Sequence, residues 1–269
     1  QFVLKRLQSD DIANFSTLEA VQKTLIRTSD LLVIRNPYVI LGLVVLVVFV
    51  LILAAKMPQA KGDETNAPLG ETFSKLFKNK NYSQGVLSQV FYVGAQIMCW
   101  TYIYQYAEAI GLSSETAANY QFLCFILFLV GRAIGTYFLR FVNSGRLLML
   151  FAGFAAIASL LTIFIEGYFG LYSLVGISFF MSLMFPTIYG IALEGLDEEE
   201  SKIGAAGLVM AIVGGALMPK LQGMLIDLGG NGVSDIKILG VSEVNFSFLL
   251  PLLCFLYIAY YGNKIYKQA

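Results

Sequence analysis

The sequence predicts an all-α protein that crosses a membrane several times. Hydrophobic residues make up 57% of the 269 residues, only 13% are charged, and the mean hydropathy is +0.71. A soluble domain carries about 25% charged residues, so this chain has too little polar surface to cover itself in water. Its apolar residues also occur in blocks of about 20, the length that an α-helix needs to cross the hydrocarbon core.

Seven such blocks follow one another along the chain. Lipid offers no partners for backbone N–H and C=O groups, so each block is expected to form a helix. The strands of a membrane barrel would alternate in polarity over about 10 residues, and these blocks do not alternate. The predicted spans are residues 37–57, 87–109, 117–138, 147–165, 171–193, 203–226 and 246–265.

The later spans predict a bundle instead of a lone anchor. The first span is almost wholly aliphatic, whereas the others contain Gly, Ser, Thr, Gln and Tyr, which are typical of helices that pack on one another or line a cavity. Ahead of the first span, STLE at 16–19 fits a capping box, and Val21, Leu25 and Ile26 follow at helical spacing. This segment is either a short amphipathic helix at a membrane surface or an ordinary connector helix.

The order of loops and spans predicts half of a two-bundle protein. One span precedes a long polar loop and six follow it, which matches the second half of a protein built from two six-span repeats. We expect a connector at 1–36, transmembrane helix six at 37–57, an inter-bundle loop at 58–86, and helices seven to twelve within 87–269. The chain opens without Met or a visible signal peptide, so we expect a piece of a longer protein that lacks its N-terminal half.

Basic residues predict the orientation. If loop 58–86 is cytoplasmic, the opposite loops after the first span hold only Lys237, with Lys220 just inside the membrane. The basic residues of segment 1–36 then lie outside, against the rule, but the five short loops outweigh them. The residues predicted on the cytoplasmic side, together with the C-terminus, are Lys56, Lys61, Lys75, Lys78, Lys80, Arg140, Arg146, Lys202, Lys264 and Lys267.

The composition argues against several classes of function. Lys and Arg number 18, as do Asp and Glu, so no basic surface indicates nucleic acid. The absence of histidine excludes His-based metal sites, His catalysis and a His proton relay. Cys99, Cys124 and Cys254 lie scattered in apolar stretches and form neither a disulfide framework nor a metal motif. We therefore expect no enzyme, no metal and no cofactor.

Several short blocks carry a resemblance to a known family. They are NPYVILG at 36–42, YVGAQIMCW at 92–100, AANY at 117–120, GRAIGT at 131–136, FPTI at 185–188 and VGG at 213–215. Together they resemble the fucose–galactose–glucose proton symporter family of the major facilitator superfamily, over nearly the whole chain. The blocks that begin at 92, 117 and 131 are the specific part of this signal.

The resemblance implies uptake of a monosaccharide, a hexose or a 6-deoxyhexose such as L-fucose, across the bacterial inner membrane. Inward flow of protons would drive this uptake, by alternating access between two six-helix bundles. The implied partners are the sugar, the proton as coupling ion, the lipid bilayer and the N-terminal bundle, which holds the proton-carrying carboxylates in that family. One position departs from the family, because Phe185 stands where a tyrosine contributes to the sugar cavity. The lost hydroxyl argues against L-fucose itself but not against another sugar.

A polar and aromatic stripe on the first helix of the six is the main candidate site. At 100° per residue, Gln89, Tyr92, Gln96, Trp100 and Tyr104 fall within an arc of about 120°. Sugars are bound by amide groups together with an aromatic face. Gln96 and Trp100 are one turn apart and are predicted to bind substrate, with Tyr92 and Tyr104 as further candidates. The alternative is a polar seam packed against neighbouring helices.

Other candidates lie on the next helices. Asn119 either contacts substrate or caps the eighth helix. Phe185 and Tyr189 flank Pro186 and form either a cavity wall or core packing, and Pro186 is expected to kink the helix and assist gating.

Arg132 and Glu194 are predicted to pair as a cytoplasmic latch, since an unpaired charge in the membrane is costly. The alternative for Arg132 is a side chain that extends to the lipid phosphates.

A second class of function shares the same fold. A membrane sugar sensor or an assembly scaffold would keep the helices without moving a solute, and fold alone does not separate it from a transporter. Sugar counterflow in vesicles distinguishes the two.

Overall fold

Helices dominate the computed structural model, which describes residues 20–54, 69–229, 237–238 and 240–268. Seven helical segments in these ranges are long and apolar enough to cross a membrane. They are Val21–Leu53, Lys80–Ala109, Ser114–Phe138, Ser144–Phe164, Tyr168–Leu193, Glu198–Ile226 and Glu243–Gln268. The seven predicted spans are therefore confirmed.

Most of these segments begin before the predicted residue because a polar first turn is capped by a side chain. Asn79, Ser113, Asn143, Asp197 and Ser242 each accept a hydrogen bond from a backbone N–H of the helix that follows. Such caps stabilise helical turns that contain too few apolar residues to be recognised from hydropathy.

The chain divides into two compact units, Gln1–Asn66 and Ala67–Ala269. In the first unit, helix α1 (Ala20–Ala54) runs without interruption and contains Pro37. One helix therefore covers both the segment predicted as a connector and the predicted sixth transmembrane helix, and the boundary at residue 37 stays a prediction. The capping box at 16–19 lies outside the described residues.

The second unit carries the remaining elements. Its helices are α2 (Leu69–Lys78), α3 (Lys80–Thr101), α4 (Ile103–Ala109), α5 (Ser114–Phe138), α6 (Ser144–Phe164), α7 (Tyr168–Met181), α8 (Met184–Leu193), α9 (Glu198–Met210), α10 (Gly214–Ile226), α11 (Glu243–Ser247) and α12 (Leu249–Gln268). A short antiparallel hairpin, β1 (Lys237–Ile238) and β2 (Val241–Ser242), precedes α11. Helix α3 packs against α10, α8 and α12, while α6 packs against α7 and α12.

The span that contains Pro186 is interrupted, as the sequence predicts. Helix α7 ends at Met181 and α8 begins at Met184, so the break lies within the turn before the proline. Proline has no N–H to donate to the carbonyl of Ser182, four residues earlier, and its ring clashes with that carbonyl. Helix α8 resumes where the N–H of Thr187 donates to the carbonyl of Leu183 over 3.3 Å.

Glycines allow α3 and α10 to approach closely. A Cβ at Gly214 would clash with the Val90 carbonyl oxygen of α3, and a Cβ at Gly94 would lie 2.9 Å from the Cβ of Met218 on α10. Close backbone contact between small residues is a main source of helix association in lipid, where burial of apolar surface contributes little. This contact fixes one face of α3.

Helix α2 lies in the segment that was predicted as a polar loop, so the prediction of 58–86 as loop alone is wrong. Leu76 is buried against Tyr82, Ala192 and Leu208, and Lys75 forms an ion pair with Glu200 at the start of α9. The hydrogen bond and the charge of Glu200 raise the pKa of Lys75. The spacing of Leu69, Phe73, Leu76 and Phe77 is the sequence signal for this amphipathic helix.

Replacing Gly214 with alanine is expected to lower the free energy of unfolding by about 1–3 kcal/mol, because the added methyl group overpacks the contact with Val90. Reversible unfolding in mixed micelles measures this change. The matched control is Gly153→Ala, since a Cβ at Gly153 has nothing within 4 Å. Equal stability of the two variants would contradict the account of this contact.

Candidate functional site

The stripe on α3 and α4 runs from a buried position to half-buried ones. Gln89 is 0% exposed and Tyr92 is 1% exposed. Gln96, Trp100 and Tyr104 are half-buried. The stripe therefore has a tightly packed part and a part from which side chains can reach a solute.

Gln96 is a half-buried polar side chain near the middle of the stripe. Its amide makes no hydrogen bond to any residue that the structure describes. A primary amide has two donors and two acceptor lone pairs, which suits the neighbouring hydroxyl groups of a sugar. The amide of Gln96 can therefore bind a solute without first breaking a contact within the described bundle.

Trp100 lies one turn further along, with its polar group already engaged. Its Nε1 donates to Ser178 Oγ of α7 over 3.2 Å. The ring centroids of Phe125 and Phe128, both on α5, lie 5.1 and 5.3 Å from that of Trp100, each in an edge-to-face arrangement. The indole is thus held in a fixed orientation and can offer an apolar face. Ser178 could not be predicted as a partner of Trp100, because a serine within an apolar helix carries no pattern of its own.

Tyr92 belongs to the contact between α3 and α8. Its ring packs edge-on against Phe185, with centroids 6.0 Å apart. Phe185 in turn stacks on Tyr189, with centroids 6.4 Å apart and an interplanar angle of 12°. Phe185 and Tyr189 are half-buried, so they retain some exposed surface, whereas Tyr92 does not.

The two remaining candidates, Tyr104 of the stripe and Asn119 of α5, lie beyond Trp100 along the chain. Tyr104 is half-buried and packs against the hydrophobic core. Asn119 is exposed in the second turn of α5, and the cap of that helix is Ser113, whose Oγ accepts from the Thr116 N–H over 3.3 Å. The alternative that Asn119 caps the helix is therefore wrong, because α5 begins five residues earlier, at Ser114.

Arg132 and Glu194 do not form an ion pair in the structure. Both are exposed, Arg132 within α5 and Glu194 at the C-cap of α8. Ion pairs among the described residues include Lys75–Glu200 and Lys202–Glu198. A pairing of Arg132 with Glu194 would belong to another conformation.

Gln89 belongs to the stripe but was not predicted as a site residue. Both atoms of its amide and the Oγ of Ser88 are buried and have no hydrogen-bond partner among the described residues. A buried polar group without a partner costs about 1–3 kcal/mol. Its full burial was not visible from periodicity, because periodicity gives a face of the helix but not its neighbours.

A second cluster of polar side chains, which includes Tyr106 and Asn245, forms hydrogen bonds with backbone carbonyls at the end of α6. Asn245 Nδ2 donates to the Thr162 carbonyl over 2.9 Å, and the Tyr106 hydroxyl donates to the Ile165 carbonyl over 3.2 Å. Tyr106 is 0% exposed and Asn245 is 2% exposed. These bonds satisfy carbonyl groups at the end of α6, so this cluster stabilises the bundle and is not a candidate binding site.

The fold defines a polytopic helical membrane protein. Residues 28–219 match the Major Facilitator Superfamily, and the chain belongs to that family. Three cysteines are free and buried, and no group of three or more His, Cys, Asp or Glu side chains that could hold a metal occurs in the described ranges.

Curated relatives carry names of sugar transporters. The chain is 49% identical over 273 residues to the L-fucose-proton symporter of Haemophilus influenzae, covering 99% of this chain and 62% of the relative. It is 32% identical to the L-fucose-proton symporter of Escherichia coli, covering 92% of this chain and 55% of the relative. It is 31% identical to a glucose/galactose transporter of Brucella abortus, covering 85% of this chain and 53% of the relative. The chain thus spans a little over half the length of these relatives.

A solved structure has the same fold. The crystal structure of a variant of the Escherichia coli fucose–proton symporter FucP matches with a TM-score of 0.75 and 29% identity, covering 97% of this chain and 62% of that one. These relatives are named as symporters and transporters, and none of those described is named as an enzyme.

Replacing Gln89 with leucine is expected to raise the free energy of unfolding by about 1–3 kcal/mol, because a buried amide without partners is removed at similar side-chain volume. Reversible unfolding in mixed micelles gives the change. The matched control is Gln222→Leu, which should be less stable than Gln89→Leu because Gln222 Nε2 donates to Ser247 Oγ over 2.9 Å, although Gln222 Oε1 is also buried without a partner among the described residues. A loss of stability in Gln89→Leu as large as in the control would show that the Gln89 amide is satisfied.

Proposed function

We propose that the chain is part of a proton-coupled symporter that takes up a hexose or a 6-deoxyhexose by alternating access. The observation that carries this proposal is the half-buried Gln96, whose amide makes no hydrogen bond to the described residues and lies one turn from the fixed indole of Trp100. The names of the relatives support the same substrate class.

In this proposal the described bundle supplies one wall of the sugar site. The amide of Gln96 binds hydroxyl groups, while Trp100 and the exposed parts of Phe185 and Tyr189 contact the apolar side of the ring. Tyr104 and Asn119 contact the sugar from the other end of the stripe. Tyr92 acts by holding Phe185 in place, since its own ring is fully packed.

The coupling carboxylate is proposed to lie outside this chain. Between Gln84 and Ala107, helix α3 and most of α4 contain no Asp or Glu, so the stripe itself holds no group that could release a proton at neutral pH. Proton coupling would then require the N-terminal bundle, which we propose as the partner of this one. The two bundles together would enclose the sugar.

We also propose the topology. Helix α1 contains the sixth transmembrane helix, α3 to α12 form helices seven to twelve, and the segment 58–86, which contains α2, lies with the C-terminus in the cytoplasm of a bacterial inner membrane. The break before Pro186 provides a hinge for gating, and Arg132 would pair with Glu194 in a state other than the present one. Replacing Arg132 with alanine would then change the balance between inward-open and outward-open states.

Two observations bear on which sugar is transported, and they point in different directions. The 49% identical relative is named for L-fucose, while more distant ones are named for glucose and galactose. Phe185 has no hydroxyl, so it adds apolar surface beside Tyr189 and argues against L-fucose itself, but it is compatible with another hexose or 6-deoxyhexose. No observation favours a sensor or scaffold.

Replacing Gln96 with alanine in the full-length protein is expected to reduce gradient-driven sugar uptake by about tenfold. The reason is the loss of hydrogen bonds worth about 1.4 kcal/mol to a neutral sugar. The measurement is uptake of labelled L-fucose, galactose and glucose into proteoliposomes, with and without an inward proton gradient.

The matched control is Gln84→Ala on the same helix, because Gln84 accepts from Lys264 Nζ over 2.7 Å and lies outside the stripe. Uptake that falls equally in both variants would argue against a specific role of Gln96. No uptake of any of these sugars by the intact protein would contradict the proposed function itself.

A further inference from the structure

A surface groove lies between α5 and α6, on the second unit. The two helices both pack against α7, and between their facing ends they leave a groove of about 360 Å³. Its lining includes Phe138, Val142, Leu147, Leu150 and Phe154, which are all apolar, and Arg146 is its one charged residue. None of the candidate sugar-binding residues lines it.

The apolar walls of the groove are ordered by ring contacts. Phe154 stacks on Phe180 of α7 with centroids 5.4 Å apart, and Phe151 packs edge-on against the same ring over 6.0 Å. Leu150 is 40% exposed and Phe154 is 50% exposed, so these side chains form the open wall. A branched, polar solute would leave its hydroxyl groups unsatisfied here.

Arg146 is held at one end of the groove. Its guanidinium Cζ lies 5.8 Å from the centroid of the Tyr266 ring on α12, within the range of a cation–π contact. It is exposed, and no carboxylate of the described residues forms an ion pair with it. Because its guanidinium is exposed and has no carboxylate partner in the described ranges, Arg146 can still bind a phosphate through two N–H groups.

The dimensions of the groove match those of one membrane leaflet. Arg146 lies in the first turn of α6, near the start of the candidate membrane span Ser144–Phe164, and Phe154 lies eight residues further along the helix. At 1.5 Å per residue the groove descends about 12 Å along the helix, while half of the hydrocarbon core measures about 15 Å. The charged end therefore lies at the depth of the lipid phosphates, and the apolar part lies at the depth of the acyl chains.

We propose that this groove binds an anionic phospholipid, with one acyl chain along Leu150 and Phe154 and the phosphate paired with Arg146. The apolar lining excludes a free phosphate as the occupant, since a free anion gains nothing from the groove below the arginine. The binding is independent of sugar transport and of which side of the membrane Arg146 faces.

Native mass spectrometry of the purified full-length protein tests the proposal. Phosphatidylglycerol and phosphatidylcholine with identical acyl chains are added to delipidated protein, and the bound copies are counted. One arginine near the phosphates favours an anionic lipid by about 1 kcal/mol, so the wild type is expected to prefer phosphatidylglycerol about fivefold. Arg146→Ala should lose this preference, and Arg146→Lys should keep part of it.

Two further variants make the result specific. Arg140→Ala removes an exposed arginine from the neighbouring turn that does not line the groove, and it should keep the full preference. Leu150→Trp fills the groove while leaving Arg146 in place, and it should lower binding of both lipids. Size-exclusion elution verifies that each variant is folded.

Two outcomes would overturn the proposal. One is an unchanged preference in Arg146→Ala, or a loss of preference as large in Arg140→Ala, which would indicate nonspecific attraction to surface charge. The other is the absence of any retained lipid in the wild type, which would show that another part of the full-length protein covers the groove.

Discussion

The close contact between α3 and α10 is the interaction on which the arrangement of the second unit depends. In lipid, apolar side chains gain little by leaving the solvent, so helices associate where small residues let their backbones meet. Gly94 and Gly214 provide that meeting point, against Met218 and Val90. Because this face of α3 is fixed, its remaining faces meet α7, α8 and α12 in only one orientation.

That orientation divides the polar stripe into two parts with different physical roles. Tyr92 and Gln89 face inward and are fully buried, so they contribute to packing, at a cost in the case of the Gln89 amide. Gln96 stays half-buried, and the polar group of Trp100 is held by Ser178. The interruption before Pro186 adds to this by making α8 a short separate helix whose aromatic residues, Phe185 and Tyr189, approach the same face. A site formed in this way depends on two helices whose relative position can change at the break.

Much of the fold could be predicted because the membrane leaves few alternatives. Apolar length alone located all seven spans, and the missing N–H of Pro186 predicted the interruption of α7–α8. Helix α2 was missed because it is only 10 residues long and its apolar face contains only a few residues. The continuity of α1 through Pro37 was also missed, because proline usually ends a helix.

Less of the site could be predicted, because a helical period gives the direction of a side chain and not what it meets. The stripe from Gln89 to Tyr104 was recognised as one surface, yet its members differ from 0% exposed to half-buried. Ser178 contacts Trp100 across 78 residues of sequence, and no local pattern encodes such a bond. The cap of α5 at Ser113, by contrast, follows from a common local rule and was misassigned only because the helix begins earlier than its apolar stretch.

The central claim is that the amide of Gln96 binds the transported sugar. A structure of the full-length protein with a bound hexose tests it most directly. The account predicts a sugar hydroxyl at hydrogen-bond distance, about 2.7–3.2 Å, from Nε2 or Oε1 of Gln96, with the sugar ring beside Trp100. A sugar bound elsewhere, with Gln96 packed against another helix, would contradict it.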